Sequence, residues 1–209
     1  MNDLIHNLRK KLQSLPPTSR KIDTTRYNKE AAVLIPIVNI DNKYHLIFTK
    51  RDGNLKNHSG EISFPGGRYD ENDGDLIQTV LREVKEEIGI PEKSVEIIGK
   101  LPQEYSVTYF RVTPFIGYID NFTIDMIDID KNEVNELIII PLNFFLNSKN
   151  SWREVWLRNE EKHINIFYNY NGTIIWGLTG RITYAFIRVY KSCGKKCLNY
   201  IKPYFFLLY

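Results

Sequence analysis

The chain has 209 residues, of which 43% are hydrophobic, 13% aromatic and 25% charged. This length is enough to bury a hydrophobic core, and the composition is that of a globular domain rather than a disordered or collagen-like chain. Because 28 basic residues are nearly matched by 25 acidic ones, for a net charge of +3, the sequence lacks the strongly basic character of nucleic-acid-binding proteins.

The first predicted element is an amphipathic helix within residues 1–15. Pro16 and Pro17 end the helical pattern. We expect the apolar side of this helix to pack on the domain or on a second subunit, and the second arrangement would make the protein a homodimer. The apolar positions at helical spacing are Leu4, Ile5, Leu8, Leu12 and Leu15.

From Ala31 onward the pattern is that of β-strands. Residues 31–40 and 44–50 flank a turn at Asp41–Lys43 and predict a hairpin. A turn at Asn171-Gly172 predicts a second hairpin. Further strands are predicted at Val95–Leu101, Phe110–Ile119, Val134–Ile140, Trp152–Leu157, His163–Tyr170 and Thr173–Trp176.

Two internal helices are predicted, at Asp75–Ile88 and at Leu178–Tyr190. Asp75 is the expected N-cap of the first, and Gly89 with Pro91 ends it. Few helices among mostly antiparallel strands predict an α+β fold, in which helices cover the faces of a mixed sheet.

The sequence has no uninterrupted apolar run of about 18 residues, the length that a membrane-spanning helix needs. We therefore expect no stable membrane insertion. The N-terminus has no secretory signal pattern, so the cytoplasm is the expected compartment and an organelle the alternative. Cys193 and Cys197 are expected to be free thiols, and the apolar segment at 198–209 is expected to dock onto protein.

Three glutamates, Glu83, Glu86 and Glu87, lie in the last two turns of the helix predicted at 75–88. Residues three and four apart share a helix face, so these carboxylates repel one another by roughly 0.2–0.5 kcal/mol per pair. The C-terminal end of a helix also carries partial negative charge, which disfavours each carboxylate further. A divalent cation such as Mg²⁺ or Mn²⁺ would convert this repulsion into coordination. A solvated acidic patch is the alternative interpretation.

The segment Phe64-Pro65-Gly66-Gly67 follows a short apolar strand and precedes this helix. Two adjacent glycines let the backbone turn tightly and approach a ligand closely. A glycine pair alone is most often a simple turn. Together with three clustered carboxylates on the next helix, it indicates a site for a metal-bound phosphate chain.

The run Arg82–Ile90, with the sequence REVKEEIGI, resembles the second half of the Nudix box at every specified position. The first half of the box is less well matched. Gly74 stands where the box has glutamate, with Asp73 and Asp75 on either side, and Gly67 lies one residue further upstream than the pattern. The match thus indicates a Nudix protein with a longer connection before the helix.

Residues 47–67, IFTKRDGNLKNHSGEISFPGG, are similar to the pattern that precedes the box in the coenzyme A pyrophosphatase branch of the Nudix family. Asp52 and Lys56 depart from that pattern, which has a small residue and a second arginine there. Similarity to the branch extends to TPF at 113–115 and IWGLTGR at 175–181. The matching residues are Thr49, Arg51, Gly60, Phe64, Pro65, Gly66 and Gly67.

The resemblance implies a Nudix-type α/β/α sandwich over residues 30–190, with a mixed, largely antiparallel sheet flanked by helices. Residues 1–29 would form an N-terminal helix and connector, and residues 191–209 an apolar tail. The implied activity is hydrolysis of coenzyme A, or a derivative, to 3′,5′-ADP and 4′-phosphopantetheine. The alternatives are another nucleoside diphosphate substrate, such as ADP-ribose or a dinucleotide, and a non-catalytic nucleotide-binding module.

The resemblance also assigns roles to individual residues. Glu83, Glu86, Glu87 and the Gly67 carbonyl would hold Mg²⁺ or Mn²⁺, and Arg82 would orient the glutamates. The implied substrate contacts are Arg51, Lys56, Gly66 and Gly67. The candidates for the general base are Glu86, Glu133, Glu136 and Glu104.

Overall fold

The computed structural model of the chain describes residues 3–15, 24–51, 60–158 and 161–193. Four helices and eleven strands form in these ranges. The helices are α1 (Asp3–Gln13), α2 (Leu76–Ile88), α3 (Leu142–Leu146) and α4 (Gly177–Cys193). The strands are β1 (Lys29–Ile40), β2 (Lys43–Arg51), β3 (Ile62–Ser63), β4 (Gly66–Arg68), β5 (Val95–Lys100), β6 (Glu104–Tyr105), β7 (Phe110–Ile119), β8 (Val134–Pro141), β9 (Ser151–Arg158), β10 (Glu161–Tyr170) and β11 (Thr173–Ile175).

Strand β1 is the centre of the larger sheet. It pairs in parallel with β7 and antiparallel with β2 and β4, while β8 and β3 extend the sheet beyond β2, and β5 and β6 pair with β7. Strands β9, β10 and β11 form a second, antiparallel sheet. The predicted mixed, largely antiparallel sheet is therefore confirmed.

Helices cover both faces of the larger sheet, as the predicted α/β/α sandwich requires. On one face, Val80, Val84 and Ile88 of α2 pack with Leu34 and other apolar residues of the sheet. On the other face, α1, α3 and α4 share a second core with the opposite side of β1. Because both faces are covered, β1 is apolar along most of its length.

Helix α1 packs on its own domain rather than standing apart from it. Ile5, Leu8 and Leu12 are buried in the same core as α4. Gly99 in β5 leaves room for Leu12, since a side chain at Gly99 would lie 2.8 Å from the Leu12 side chain. Of the two arrangements predicted for this helix, the structure therefore has packing on the domain.

Three short elements differ from the sequence-based prediction. Gly66–Arg68 forms strand β4, which the sequence did not predict, because it pairs with Ala31–Val33 of β1. Strand β6 and helix α3 were not predicted, since two and five residues are too short for a periodic pattern. Within the described ranges, no helix has the length and apolar character needed to cross a membrane. Cys197 and the segment 198–209 lie outside those ranges.

Candidate functional site

Local signals at both ends determine the extent of α2, as predicted. The Asp75 carboxylate accepts hydrogen bonds of 2.8 Å from the backbone N–H groups of Ile77 and Gln78. Gly89 ends the helix in the left-handed conformation, with φ of 75°, and donates its N–H to the Lys85 carbonyl. These caps set the register that places the three glutamates on the last two turns.

The three glutamates occupy very different environments. Glu87 is only 3% exposed, the Glu83 side chain is 15% exposed, and the Glu86 side chain is 59% exposed. Burial raises the pKa of Glu87 to about 8, although a hydrogen bond from the Gly66 N–H at 3.1 Å opposes the shift. Burial also raises the pKa of Glu83, against the nearby Arg82 charge. A buried carboxylate of this kind favours a positively charged partner.

The two glycines before α2 permit close contacts within and beside β4. A side chain at Gly67 would lie 2.4 Å from the carboxyl carbon of Glu83, so glycine lets this carboxylate rest against the strand. Gly66 has φ of 145°, and a side chain there would lie 2.3 Å from the carbonyl oxygen of Ala32. The glycine pair thus permits close approach of β4 to its neighbours.

Arg82 connects the glutamates to the loop before the helix. It donates two hydrogen bonds to Asp73, from Nε at 2.6 Å and Nη2 at 3.0 Å. Its Nη1 donates to Glu83 at 3.0 Å and to Glu86 at 2.9 Å. This fork holds the pKa of the Asp73 carboxyl well below its usual range.

Asp73 is a site residue to which the sequence analysis assigned no role. It lies one residue before Gly74, the position at which the Nudix box has glutamate. Gly74 has φ of 77°, a conformation that a glutamate would adopt only with strain. The one signal in the sequence was a carboxylate next to the unmatched position. The hydrogen bonds from Arg82 show that this carboxylate holds the arginine.

A further carboxylate, Glu133, acts electrostatically on the buried pair Glu83 and Glu87. The Asp128 and Asp130 N–H groups donate to the carbonyl oxygens of Ile88 and Glu87, so the loop leading to Glu133 is attached to the end of α2. The negative charge of Glu133 contributes to the raised pKa of both Glu83 and Glu87. Three carboxylates from two separate segments therefore interact electrostatically here.

The other two loop acids considered as a general base have basic partners elsewhere. Glu104 accepts a 3.2 Å hydrogen bond from Arg181 of α4, and both side chains are largely buried. Glu136 lies 3.5 Å from the ammonium group of Lys50. Neither acid is among the main influences on the pKa of Glu83 or Glu87.

Arg51, at the end of β2, brings positive charge to the site. It lies opposite Val134, the residue after Glu133, and its N–H donates to the Glu61 carbonyl. Its charge acts on Glu87 in the direction that lowers the pKa of that carboxyl. Lys56, the other predicted phosphate contact, lies outside the described residues.

The carboxylates are of the type that binds a hard divalent cation, but their side chains do not converge on one point. Among the residues that the structure describes, no three acidic, histidine or cysteine side chains converge in metal-ligand geometry. The candidate side-chain donors are carboxylate oxygens, and burial of Glu83 and Glu87 disfavours their ionised forms, which a bound cation would stabilise. Glu86 is exposed enough to turn toward them. The chemistry of these side chains is therefore of the kind that a hard divalent cation takes.

A cavity of about 740 Å³ adjoins this cluster on the side of Arg82 and Glu83. Its remaining wall is formed by the loop between β4 and α2. The cavity is thus bordered by Arg82 and Glu83 of α2 on one side and by the chain following the glycine pair on the other. The lining residues are Arg68, Tyr69, Asp70, Glu71, Asn72, Asp73, Arg82 and Glu83.

Comparison with known proteins agrees with the motif. The model of the NUDIX domain matches residues 28–159. The chain is 36% identical over 182 residues to the uncharacterized Nudix hydrolase NudL of Pectobacterium atrosepticum, covering 87% of this chain and 90% of that protein. It is 38% identical to NudL of Yersinia enterocolitica, covering 73% and 76%. A MutT/nudix family protein from Enterococcus faecalis has a similar fold, with a TM-score of 0.50, 12% identity and coverage of 86% and 65%.

Proposed function

This chain belongs to the Nudix hydrolase family, and from that premise we propose that it is a coenzyme A diphosphatase. The proposed reaction cleaves the diphosphate bond of coenzyme A or a derivative to give 3′,5′-ADP and 4′-phosphopantetheine. The family supports a pyrophosphohydrolase. The choice of coenzyme A rests on the similarity of residues 47–67 to the coenzyme A branch, including Arg51 at the edge of the carboxylate cluster.

The observation that carries the proposal is the concentration of carboxylates around Glu83 and Glu87, both of which have raised pKa values because they are buried. Glu133 adds negative charge from a different segment. Gly67, which has no side chain, leaves room for the Glu83 carboxylate against β4. Such a cluster costs stability unless a cation is bound. We propose Glu83, Glu86, Glu87 and the Gly67 carbonyl as the ligands of Mg²⁺ or Mn²⁺. When bound, the metal would neutralise charge on the diphosphate oxygens and polarise the phosphorus for attack by water.

Arg82 is proposed as a positioning residue. Its five donors are directed at Asp73, Glu83, Glu86 and the Arg68 carbonyl, so its guanidinium orients carboxylates and the loop after β4. The Gly66 N–H donates to Glu87 and so holds that carboxylate, and Gly66 and Gly67 stay proposed as substrate contacts. Arg51 and Lys56 are proposed as the phosphate contacts, and the charge of Arg51 acts on Glu87 of the cluster.

Glu133 is proposed as the general base. It is exposed, and its carboxylate is close enough to Glu83 and Glu87 to affect their protonation. Glu104 and Glu136 each have a basic partner away from the cluster. Glu86 is the alternative, but in this arrangement it accepts a hydrogen bond from Arg82 and is assigned to the metal. Glu133 would take a proton from the attacking water as the water oxygen bonds to phosphorus and the bridging P–O bond of the diphosphate breaks.

A substrate panel with mass-spectrometric product analysis tests this function. Coenzyme A, ADP-ribose and diadenosine polyphosphates are incubated with the protein and Mg²⁺ or Mn²⁺. The proposal expects 3′,5′-ADP and 4′-phosphopantetheine, with the highest kcat/KM for coenzyme A or its derivatives. Preferential hydrolysis of ADP-ribose or a dinucleotide would overturn the coenzyme A assignment. Metal-independent nucleotide binding without turnover of any substrate would indicate the non-catalytic module.

A further inference from the structure

Three tyrosines from two segments cluster at the end of the sheet near the candidate site. The rings of Tyr27 and Tyr105 meet edge to face, with centroids 4.7 Å apart, and the Tyr109 ring lies 6.1 Å from that of Tyr27. Tyr27 precedes β1, while Tyr105 and Tyr109 border the turn between β6 and β7. Tyr109 is 53% exposed, and the other two are partly exposed. The group thus presents aromatic surface to solvent.

Strand register places Tyr105 on the face of the sheet that α2 covers. Tyr105 lies opposite Arg111 of β7, and paired residues point to the same face. Arg111 and Phe115 are four residues apart in β7, so their side chains point to the same face, and Phe115 packs in the core beneath α2. Arg111 is also paired with Glu30 of β1 through an ion pair. Tyr105 therefore lies on the same face of the sheet as α2.

Tyr105, Arg111 and Glu30 lie side by side across three strands, and Glu30 contacts a residue of the cavity wall. The Glu30 carbonyl accepts a hydrogen bond from the Tyr69 N–H, and Tyr69 lines the cavity beside Glu83. Strands β4, β1, β7 and β6 lie side by side, so three strand spacings separate β4 from β6. At about 4.8 Å per spacing this is roughly 14 Å. The separation suits a nucleotide whose phosphates lie at the carboxylates and whose base lies at the tyrosines.

Tyr109 has a backbone conformation that glycine would adopt without strain. Its φ is 65°, in the left-handed region that bulky residues rarely occupy. The turn itself is closed by other groups: the Tyr109 N–H donates to the Ser106 carbonyl, and the Phe110 N–H donates to the Ser106 hydroxyl. Keeping an exposed aromatic ring at a strained position is informative, because strain that folding does not require is often retained for function.

We propose that Tyr27, Tyr105 and Tyr109 form the base-binding end of the substrate groove, where a purine ring stacks. This inference rests on the proposed function, since it takes the carboxylate cluster as the place of the diphosphate. Aromatic rings bind bases through their faces and edges with little dependence on hydrogen bonding. Arg26 and Lys29, both exposed, flank Tyr27 in the sequence and supply positive charge for a phosphorylated ribose.

The test compares a ligand that has a base with one that lacks it. Calorimetry in Mg²⁺ measures the Kd of 3′,5′-ADP and of inorganic pyrophosphate for the wild type, Tyr109→Gly and Tyr105→Ala. We expect each variant to bind 3′,5′-ADP about 5- to 100-fold more weakly, the range that base stacking provides, and to bind pyrophosphate within twofold of the wild type. Tyr109→Gly should at the same time raise the Tm, because glycine relieves the strain.

Asn121→Gly is the matched control, since Asn121 has φ of 50° and follows the opposite end of β7. It makes the same backbone change without removing a ring, and both affinities should stay unchanged. Unaltered 3′,5′-ADP affinity in both tyrosine variants, or equal losses for both ligands, would overturn the inference. These affinities do not depend on turnover, so a wild type that fails to hydrolyse coenzyme A would contradict the proposed function while the base-binding result stands separately.

Discussion

The backbone N–H of Gly66 donates a 3.1 Å hydrogen bond to the carboxylate of Glu87, 21 residues later in the chain. This bond joins strand β4 to the last turn of α2. It fixes the orientation of a buried carboxylate through a backbone donor.

Replacing Glu86 or Glu87, two of the proposed metal ligands, should impair catalysis without unfolding the protein. We expect Glu86→Gln and Glu87→Gln each to lower kcat by about 10²- to 10⁴-fold, because several kcal/mol of metal-borne stabilisation are lost. Steady-state kinetics and circular dichroism measure the two effects. Glu92→Gln, an exposed glutamate beyond the end of α2, is the control and should keep its activity. Full activity of the first two variants would refute the assignment.

The stability of the metal-free protein should depend on the protonation of Glu87. Its pKa rises from 4.5 to about 8 on folding, mainly through burial, so the folded state binds more protons than the unfolded state between these values. Stability should therefore fall as pH rises from about 4.5 to 8, by an amount on the order of a few kcal/mol. Urea unfolding in EDTA measures this slope. Glu87→Gln should flatten it, and an unchanged slope in that variant would contradict the prediction.

Removing the Asp73 charge should weaken the attachment of Arg82. Asp73→Asn is expected to cost about 1–3 kcal/mol of unfolding free energy and to reduce kcat/KM, since the guanidinium loses a bidentate partner. The folded pKa of Asp73 is lowered, so its stabilisation is present above the unfolded pKa near 4 and is lost at lower pH. The variant and wild type should accordingly converge in stability in acid. A constant difference across pH would exclude the charge as the cause.

The contact between Gly67 and Glu83 should appear as coupling between the two positions. Gly67→Ala is expected to cost about 1–3 kcal/mol, because the added methyl group would overlap the Glu83 carboxylate. In a Glu83→Ala background most of that cost should disappear, as a double-mutant cycle from urea unfolding would show. Equal costs in the two backgrounds would mean that the glycine is required for another reason.

The general base should be separable from the metal ligands. Glu133→Gln is expected to lower kcat by about 10²- to 10⁴-fold, to remove the acidic limb of the pH–rate profile, and to leave Mn²⁺ affinity nearly unchanged. Glu136→Gln is the matched control on the same strand segment, because Glu136 pairs with Lys50. If Glu133→Gln retains the acidic limb, Glu86 becomes the better candidate for the base.

Much of the fold was predictable because its signals are local. The Asp75 cap, the apolar stripe and Gly89 specify α2 within the helix itself, and its observed bounds agree with the prediction. The long strands have clear patterns, and Asn171-Gly172 forms the turn between β10 and β11. Strand β4 could not be predicted in this way, because a glycine pair becomes a strand only through pairing with β1.

The sequence by itself determined that three glutamates lie at the end of one helix, and its motif identified the family. Only the tertiary structure decided how these glutamates differ: Glu87 is buried under the Gly66 N–H, whereas Glu86 faces solvent. It also decided that Asp73 holds Arg82 and that Glu133, rather than Glu104 or Glu136, lies beside the cluster. The physical reason is that burial and electrostatic interaction depend on distances between segments remote in the chain, whereas capping and periodicity depend on neighbours.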